Sequence, residues 1–207
     1  ARVFQPLLQY AWHKTIKTGE DQRPWRSFDG VPVLRLMIPR HEVDQIVLSG
    51  TSGQALAFGP AFHEESKLPG KGGATVISSH RDSHGVYIRQ LKKGDTIKLQ
   101  DRFQQWHSYT IEDFYILNVK TDTISTTNTK EVLLIITCYP FNALTSATPL
   151  RYVVSASQNL GNRSDMTLKN SGTAIMPIKS LFIVSLFLSF NAFAERLFEE
   201  DRTDDTW

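Results

Sequence analysis

The amino-acid sequence predicts an all-β fold, either a sandwich or a barrel, with one short helix in front of it. From residue 31 onward, short apolar runs alternate with turn residues, which is typical of successive β-strands. The chain has 207 residues, 41% of them hydrophobic, so it can bury one substantial core. The net charge is only +2 and the basic residues are scattered, so no nucleic-acid partner is predicted.

The N-terminal residues predict a helix followed by a connector. Residues 5–17 carry apolar side chains at nearly helical spacing, whereas 18–26 is polar and contains glycine and proline. We therefore expect three parts, which are an N-terminal helical arm and connector at 1–29, a β domain at 30–157 and a C-terminal tail at 158–207.

Seven runs are predicted as strands because they are rich in apolar and β-branched residues and are bounded by turn residues. The fifth run is long enough to contain a bend or a β-bulge. Between the strands, 55–71 is interpreted as a loop or short helix, and 83–90 as one helical turn. The predicted strands are 33–38, 45–48, 74–78, 96–99, 106–119, 132–137 and 151–155.

The single cysteine, Cys138, lies where a buried strand ends. It follows the apolar run 132–137, and Pro140 stops the strand because proline has no N–H to donate to a sheet. A thiol there is held rigidly from one side and open from the other, as a nucleophile needs to be. One cysteine allows no intramolecular disulfide, and no Cys/His cluster has zinc-ligand spacing, so we predict no metal site.

Two further polar residues lie at predicted strand ends. His80 follows one apolar run, and Arg151 starts another. Cys138 comes 58 positions after His80 and 13 before Arg151. Each residue alone has a structural explanation, since a lone cysteine is usually an inert core residue, and histidine and arginine are commonly packed or solvated. The nearby His84 and His107 have no context that favours a catalytic role.

The three residues and their surroundings together resemble the sortases, a family of cysteine transpeptidases. The strand Leu134-Ile135-Ile136-Thr137-Cys138 is similar to the family's T-L-x-T-C hallmark and keeps its Thr-Cys pair. His80-Arg81-Asp82 and the run 91–99 resemble the family's G-H-R-D and L-x-x-G-D-x-I-x-L motifs, with Ser79 replacing the glycine. The resemblance covers roughly residues 30–157 and implies a closed β-barrel of about eight strands with short helices and an N-terminal helical arm. The segments 11–12, 24–25 and 50–60 look most like the sortases of Gram-negative bacteria.

The resemblance also implies the roles of site residues. Cys138 would be the nucleophile, His80 the general acid and base, and Arg151 the group that stabilises the oxyanion and the substrate. Thr137 and Asp82 would support the site, by shaping the oxyanion site and orienting the histidine region. The residues expected to line the substrate groove are Val132, Leu134, Ile136, Tyr139 and Pro140, together with the rest of the loop 139–148.

The implied substrate is a secreted protein with an LPxTG-like sorting signal near its C-terminus. The enzyme would cleave this signal between Thr and Gly and transfer the protein to an amine of the cell envelope, without any cofactor. By the same resemblance we expect a catalytic domain in the periplasm, anchored to the inner membrane through an N-terminal segment missing from the chain.

Three rival interpretations remain open or are weakened by the sequence. A cysteine hydrolase would cleave the same signal but let water resolve the thioacyl intermediate. A catalytically silent β-barrel binding module would have no reason to keep the three residues together. The run 83–89 resembles the S-H-G-C-x-R core of L,D-transpeptidases, but Val86 occupies the cysteine position, so that mechanism has no nucleophile.

The C-terminal tail contains a segment, 178–194, that resembles a secretory signal peptide. A lysine precedes an apolar stretch, and A-x-A precedes a glutamate. Three interpretations are open, namely a short core or interface helix, a membrane-associated tail, and a neighbouring reading frame that begins at Met176. The apolar stretch is shorter than the ~20 residues that a spanning helix needs.

Overall fold

The computed structural model describes residues 4–124, 130–143 and 148–158. Eight strands form one closed barrel, with the neighbours in the order β1-β2-β3-β4-β7-β8-β6-β5 when numbered along the chain. The all-β barrel of about eight strands is therefore confirmed. The strands are β1 (Pro32–Ile38), β2 (Val43–Ser49), β3 (Ala61–Phe62), β4 (Ala74–Ser78), β5 (Thr96–Gln100), β6 (Trp106–Asn118), β7 (Val132–Cys138) and β8 (Leu150–Gln158).

Two α-helices lie beside the barrel, and two short 3₁₀ turns span Pro39–His41 and Val86–Gln90. Helix α1 (Gln5–Thr18) ends where Gly19 adopts a φ of 74° and donates its N–H to the Thr15 carbonyl. Helix α2 (Gly53–Phe58) is capped at its N-terminus by Ser52, whose Oγ accepts the Ala55 N–H at 3.1 Å. The predicted N-terminal helix and the helical turn within 83–90 are both present.

One strand was missing from the prediction. β3 has only two residues and lies inside the segment 55–71, which also contains α2. This strand forms because Ala61 and Phe62 pair with β2 on one side and with β4 on the other. The local sequence pattern therefore does not predict it. The predicted irregularity in the long strand is confirmed, since the register between β6 and β8 shifts between Ile111 and Asp113.

The wall of the barrel is apolar on both faces around β7. Leu133 and Ile135 belong to the cluster that fills the barrel interior, whereas Leu134 and Ile136 belong to a second cluster outside it. All four side chains are buried. This explains why β7 reads as a continuous apolar run rather than an alternating one.

A third apolar cluster lies beneath α1. Leu8 and Trp12 of the helix pack with Ile46 and Leu48 of β2 and with Phe28 of the connector. The N-terminal arm is thus attached to the barrel by a core of its own.

No helix within 4–124, 130–143 and 148–158 is both long and apolar enough to cross a membrane. The tail beyond Gln158, including the segment 178–194, lies outside the described residues, so its three interpretations and the predicted domain boundaries stay predictions.

Candidate active site

Strand pairing brings the three predicted catalytic residues to one level of the barrel. β4 and β7 are parallel, and Ser78 pairs with Ile136, an offset of 58 positions. His80 and Cys138 are separated by the same 58 positions. His80, just after the end of β4, therefore lies level with Cys138, the last residue of β7. Cys138 itself pairs directly with Arg151 across the antiparallel β7 and β8. His80, Cys138 and Arg151 therefore lie on three adjacent elements at one end of the barrel.

Cys138 continues the outward-facing series of β7. Side chains alternate along a strand, and Leu134 and Ile136 belong to the outer cluster, so Cys138 is next on that face. Directly opposed residues of an antiparallel pair share a face, which puts Arg151 there too. The outer apolar cluster thus leads along β7 to the thiol.

Opposing effects act on the thiol of Cys138. Its residue is only 6% exposed, and this burial raises the pKa of the thiol above its ordinary value. The positive charges of Arg151 and then Arg81 act in the other direction. Burial outweighs these charges, so the net pKa of the thiol is raised, and any group that strengthens the positive field favours the reactive thiolate.

His80 is exposed, but its main chain and ring are both held. Its backbone N–H donates to Nε2 of His84 at 3.0 Å. Its ring Nδ1 accepts the backbone N–H of Asp82 at 3.3 Å, which leaves Nε2 as the nitrogen available for proton transfer. Its carbonyl accepts the N–H of Gly85 at 2.9 Å, closing the loop that carries the ring.

Arg151 is almost completely buried, with 2% exposure. Its Nη1 donates to the carbonyls of Thr148 at 2.6 Å and Leu150 at 2.9 Å. These bonds orient the guanidinium near Cys138, whose pKa its charge lowers. A buried, oriented cation beside a nucleophile is suited to stabilising an oxyanion.

The two supporting residues, Thr137 and Asp82, make other contacts. The Oγ1 of Thr137 donates to the Ser79 carbonyl at 2.7 Å, which ties the end of β7 to the segment before His80. The carboxylate of Asp82 binds the Arg81 guanidinium, which holds the pKa of that carboxyl below its usual value. The backbone of Asp82, rather than its carboxylate, makes the hydrogen bond to the His80 ring.

The five predicted groove residues divide between two regions. Val132, Leu134 and Ile136 share the outer cluster with Val76 and Val153, on the face of Cys138. Tyr139 instead stacks on Tyr152 at 6.0 Å between ring centroids and meets Phe141 edge-on at 5.5 Å. That aromatic group packs on the interior cluster, so the structure does not bring Tyr139 to the outer apolar face. The carbonyl of Pro140 accepts a hydrogen bond from Arg81.

Sequence reasoning missed two residues of the site. The sequence motif contains Arg81 but gives it no role, and no pattern in the sequence favours His84. The structure shows Arg81 buried beside Cys138 and His84 buried beneath His80, with ring centroids of the two histidines 6.3 Å apart. Burial lowers the pKa of His84 to about 4, so this imidazole is neutral and able to accept the His80 N–H. The only available signal was their position within the loop after His80.

No group of three or more histidine, cysteine, aspartate or glutamate residues that could hold a metal occurs in the part of the chain that the structure describes.

Comparison with known proteins gives one consistent family. The family model for the sortase domain matches residues 36–159, more than half of the chain. Sortase D of Bacillus subtilis (strain 168) is 29% identical over 119 residues, which is 58% of this chain and 60% of that protein. The chain therefore spans less than two thirds of the length of this curated relative.

Solved sortase structures have a similar fold. A sortase D5 transpeptidase from Clostridium perfringens matches with a TM-score of 0.56 and 20% identity, over 76% of this chain and 94% of that one. Sortase A from Corynebacterium diphtheriae matches with a TM-score of 0.57 and 17% identity, over 79% of this chain and 87% of that one. At these identities the likeness is one of fold.

Proposed function

The chain belongs to the sortase family, and we propose that it is a cysteine transpeptidase that cleaves a sorting signal and transfers the acyl part to an amine. The observation that carries this proposal is that His80, just after β4, lies at the same end of the barrel as the paired residues Cys138 of β7 and Arg151 of β8. A thiol, an imidazole and an oriented cation at one end of the barrel are the groups that acyl transfer requires.

In the first half-reaction, the Cys138 thiol gives its proton to His80, and the resulting thiolate attacks the carbonyl carbon of the scissile peptide bond. Arg151 stabilises the negative oxygen of the tetrahedral intermediate. The intermediate then collapses by breaking the C–N bond, and His80 donates a proton to the departing amine. The product is a thioester between Cys138 and the upstream part of the substrate.

In the second half-reaction, an acceptor amine attacks the thioester carbon. His80, now neutral, removes the proton that the amine loses on forming the new C–N bond. Arg151 again stabilises the oxyanion, and the C–S bond breaks to return the thiolate of Cys138. Over the two half-reactions one C–N bond is broken and one is formed, with the proton carried by His80, so the reaction requires no cofactor.

We propose an LPxTG-like signal, cleaved between Thr and Gly, as the substrate. The apolar outer face at Val132, Leu134 and Ile136 supports this because a signal with leucine and proline before the scissile bond needs an apolar surface leading to the thiol. The partners would be a secreted protein bearing the signal and an envelope amine.

The finer assignment is also part of the proposal. The motifs at 11–12, 24–25 and 50–60 favour the sortases of Gram-negative bacteria. A periplasmic catalytic domain with an inner-membrane anchor follows from that subgroup. Measuring which membrane fraction retains the full-length protein in its host tests this assignment.

The test of function is intact mass after mixing the protein with an LPxTG-like peptide, with and without triglycine. We expect a thioacyl adduct on the wild type that triglycine converts to a new peptide, and no adduct on Cys138→Ala. Cleavage without capture of triglycine would favour the hydrolase. An adduct on the Cys138→Ala variant, or inertness of the wild type across a library of sorting peptides, would contradict the proposal.

A further inference from the structure

Arg81 is a buried charge that the reaction steps above do not use. It is 7% exposed and follows His80 directly in the connection between β4 and β5. A charge at this depth destabilises the fold unless hydrogen bonds and an opposite charge compensate it. The identity of its partners therefore indicates what it does.

The Arg81 guanidinium joins the two loops that flank the thiol. Its Nη1 donates to the Pro140 carbonyl at 2.7 Å, and its Nη2 donates to the Ala143 carbonyl at 2.8 Å. Both carbonyls belong to the connection that leaves β7 immediately after Cys138. The loop bearing His80 is thereby fastened to the loop that follows the nucleophile.

The same guanidinium holds Asp82 in a two-point ion pair. Nε and Nη2 of Arg81 each donate to one carboxylate oxygen at 2.8 Å. Arg81 thus makes four hydrogen bonds, two within its own loop and two to the loop after Cys138. Only the rigid fork of arginine can do this, since a lysine ammonium is a point charge on a flexible stem.

Arg81 also lies within electrostatic reach of the thiol. Among the described residues, the charged groups that act on the Cys138 thiol are Arg151 from β8, and Arg81 and Asp82 from the β4–β5 connection, which also carries His80. Arg151 and Arg81 favour the thiolate, and Asp82 opposes it. Arg81 therefore supports the nucleophile by charge as well as by geometry.

We propose that Arg81 is a positioning residue for the acyl-transfer site. Its fork locks the loop after Cys138 to the loop that carries His80, and its charge favours the thiolate of Cys138. The positioning role in acyl transfer rests on the proposed function, whereas the effect on the thiol does not.

The experiment compares Arg81→Met, Arg81→Lys and the wild type by two measurements. The first is the rate at which iodoacetamide alkylates Cys138, the only cysteine, as a function of pH. The second is kcat/KM for the peptide and triglycine. Arg35→Met is the matched control because Arg35 makes the same two-point pair with Asp44, at 2.8 and 2.6 Å, on β1 and β2.

We expect Arg81→Met to raise the pH midpoint of alkylation and to lower kcat/KM about tenfold or more. Arg81→Lys is expected to bring the midpoint back toward the wild type, because the charge returns. Its kcat/KM stays low, because the ammonium cannot hold two carbonyls and a carboxylate together. Arg35→Met leaves the midpoint unchanged.

The variant Asp82→Asn is expected to shift the alkylation midpoint in the opposite direction. Asp82→Asn removes the negative charge that opposes the thiolate, so the alkylation midpoint is expected to fall. An unchanged midpoint in folded Arg81→Met, or full kcat/KM in Arg81→Lys, overturns the proposal. If Arg81→Met does not fold, as judged by thermal unfolding, Arg81→Lys and Asp82→Asn still decide.

The two proposals can fail separately. Alkylation reports on the thiol even when no peptide is processed. If wild-type protein does not transfer the acyl group but Arg81→Met still raises the midpoint, transpeptidation fails and the electrostatic role of Arg81 stands.

Discussion

Two buried histidines near the site, His63 and His84, are kept neutral by their burial. His63 and His84 are both almost fully buried, and burial lowers the pKa of each to about 4. Each also makes a hydrogen bond close to the site, His63 Nε2 with Oγ of Ser78 at the end of β4 at 2.6 Å, and His84 Nε2 with the His80 N–H at 3.0 Å. Both imidazoles are therefore neutral supports rather than charged groups.

These two histidines make the stability of the fold depend on pH. The unfolded chain takes up their protons near pH 6.5, whereas the folded protein takes them up only near pH 4. The free energy of unfolding is therefore highest above pH 6.5 and falls as the pH drops toward 4, by up to about 1.4 kcal/mol per pH unit for each histidine. Denaturant unfolding at pH 7, 6, 5 and 4.5 measures it.

The matched variants are a double His63→Gln, His84→Gln change and the exposed His13→Gln. The double variant should have a flatter pH dependence between 6.5 and 4, and His13→Gln should follow the wild type. A wild type as flat as the double variant would contradict the prediction.

At the scale of elements, the site depends on how three strands end. β4 and β7 run in parallel, so their final residues reach the same end of the barrel, and antiparallel β8 starts there. The connection after β4 then folds back on itself, with the Gly85 N–H bonded to the His80 carbonyl. The position of His80 therefore depends on how closely this loop can pack.

A substitution at Gly85 tests how closely the loop after β4 must pack. A Cβ at this position would lie 2.7 Å from the His80 carbonyl oxygen, closer than real Cβ contacts, and 3.1 Å from the carbonyl carbon, which is also tight. We expect Gly85→Ala to displace the loop, with a cost of about 1–3 kcal/mol in stability. Acyl transfer should fall about tenfold. Peptide turnover and denaturant unfolding are the measurements.

Gly72→Ala is the comparison for this change. Its Cβ would meet nothing within 4 Å, although its φ of 70° adds strain of about 1–2 kcal/mol. It should lose stability but keep its turnover. Equal turnover in the two variants would show that the loop tolerates displacement.

Over the whole molecule, the barrel and the N-terminal arm have separate cores. The interior cluster is built from the barrel strands and the segment before β5, whereas α1 covers a cluster with β2, α2 and the connector. Trp12 is 1% exposed and is the largest fully buried side chain of the protein's described part. The arm is therefore part of the folded unit, although it is distant in sequence from the catalytic residues.

We expect Trp12→Ala to destabilise the protein by about 3–5 kcal/mol, because it removes a large buried side chain and leaves a cavity. The alkylation midpoint of Cys138 should not move, since the arm packs on β1 and β2. Denaturant unfolding and alkylation are measured together. Tyr10→Ala, on the exposed side of the same helix, should change stability by no more than about 0.5 kcal/mol. A large loss in Tyr10→Ala would mean that the helix has a further partner.

The sequence alone determined the fold class, the N-terminal helix and seven of the eight strands. It also determined that His80, Cys138 and Arg151 lie at strand ends. Each of these features follows from a run of consecutive residues, through its apolar periodicity and through the prolines and glycines that end it. The two-residue strand β3 was not determined in this way, because its only support is pairing with β2 and β4.

Only the tertiary structure decided which residues surround the thiol. The pairing of Cys138 with Arg151, the four hydrogen bonds of Arg81 and the neutral His84 beneath His80 all join segments that are separate in sequence or folded back on themselves. The ring contacts of Tyr139 with Tyr152 and Phe141 likewise depend on packing, and its expected place in the substrate groove stays a prediction. Local sequence patterns record which residues are buried, but hydrogen-bond partners and pKa shifts arise from the distances that packing imposes between distant segments.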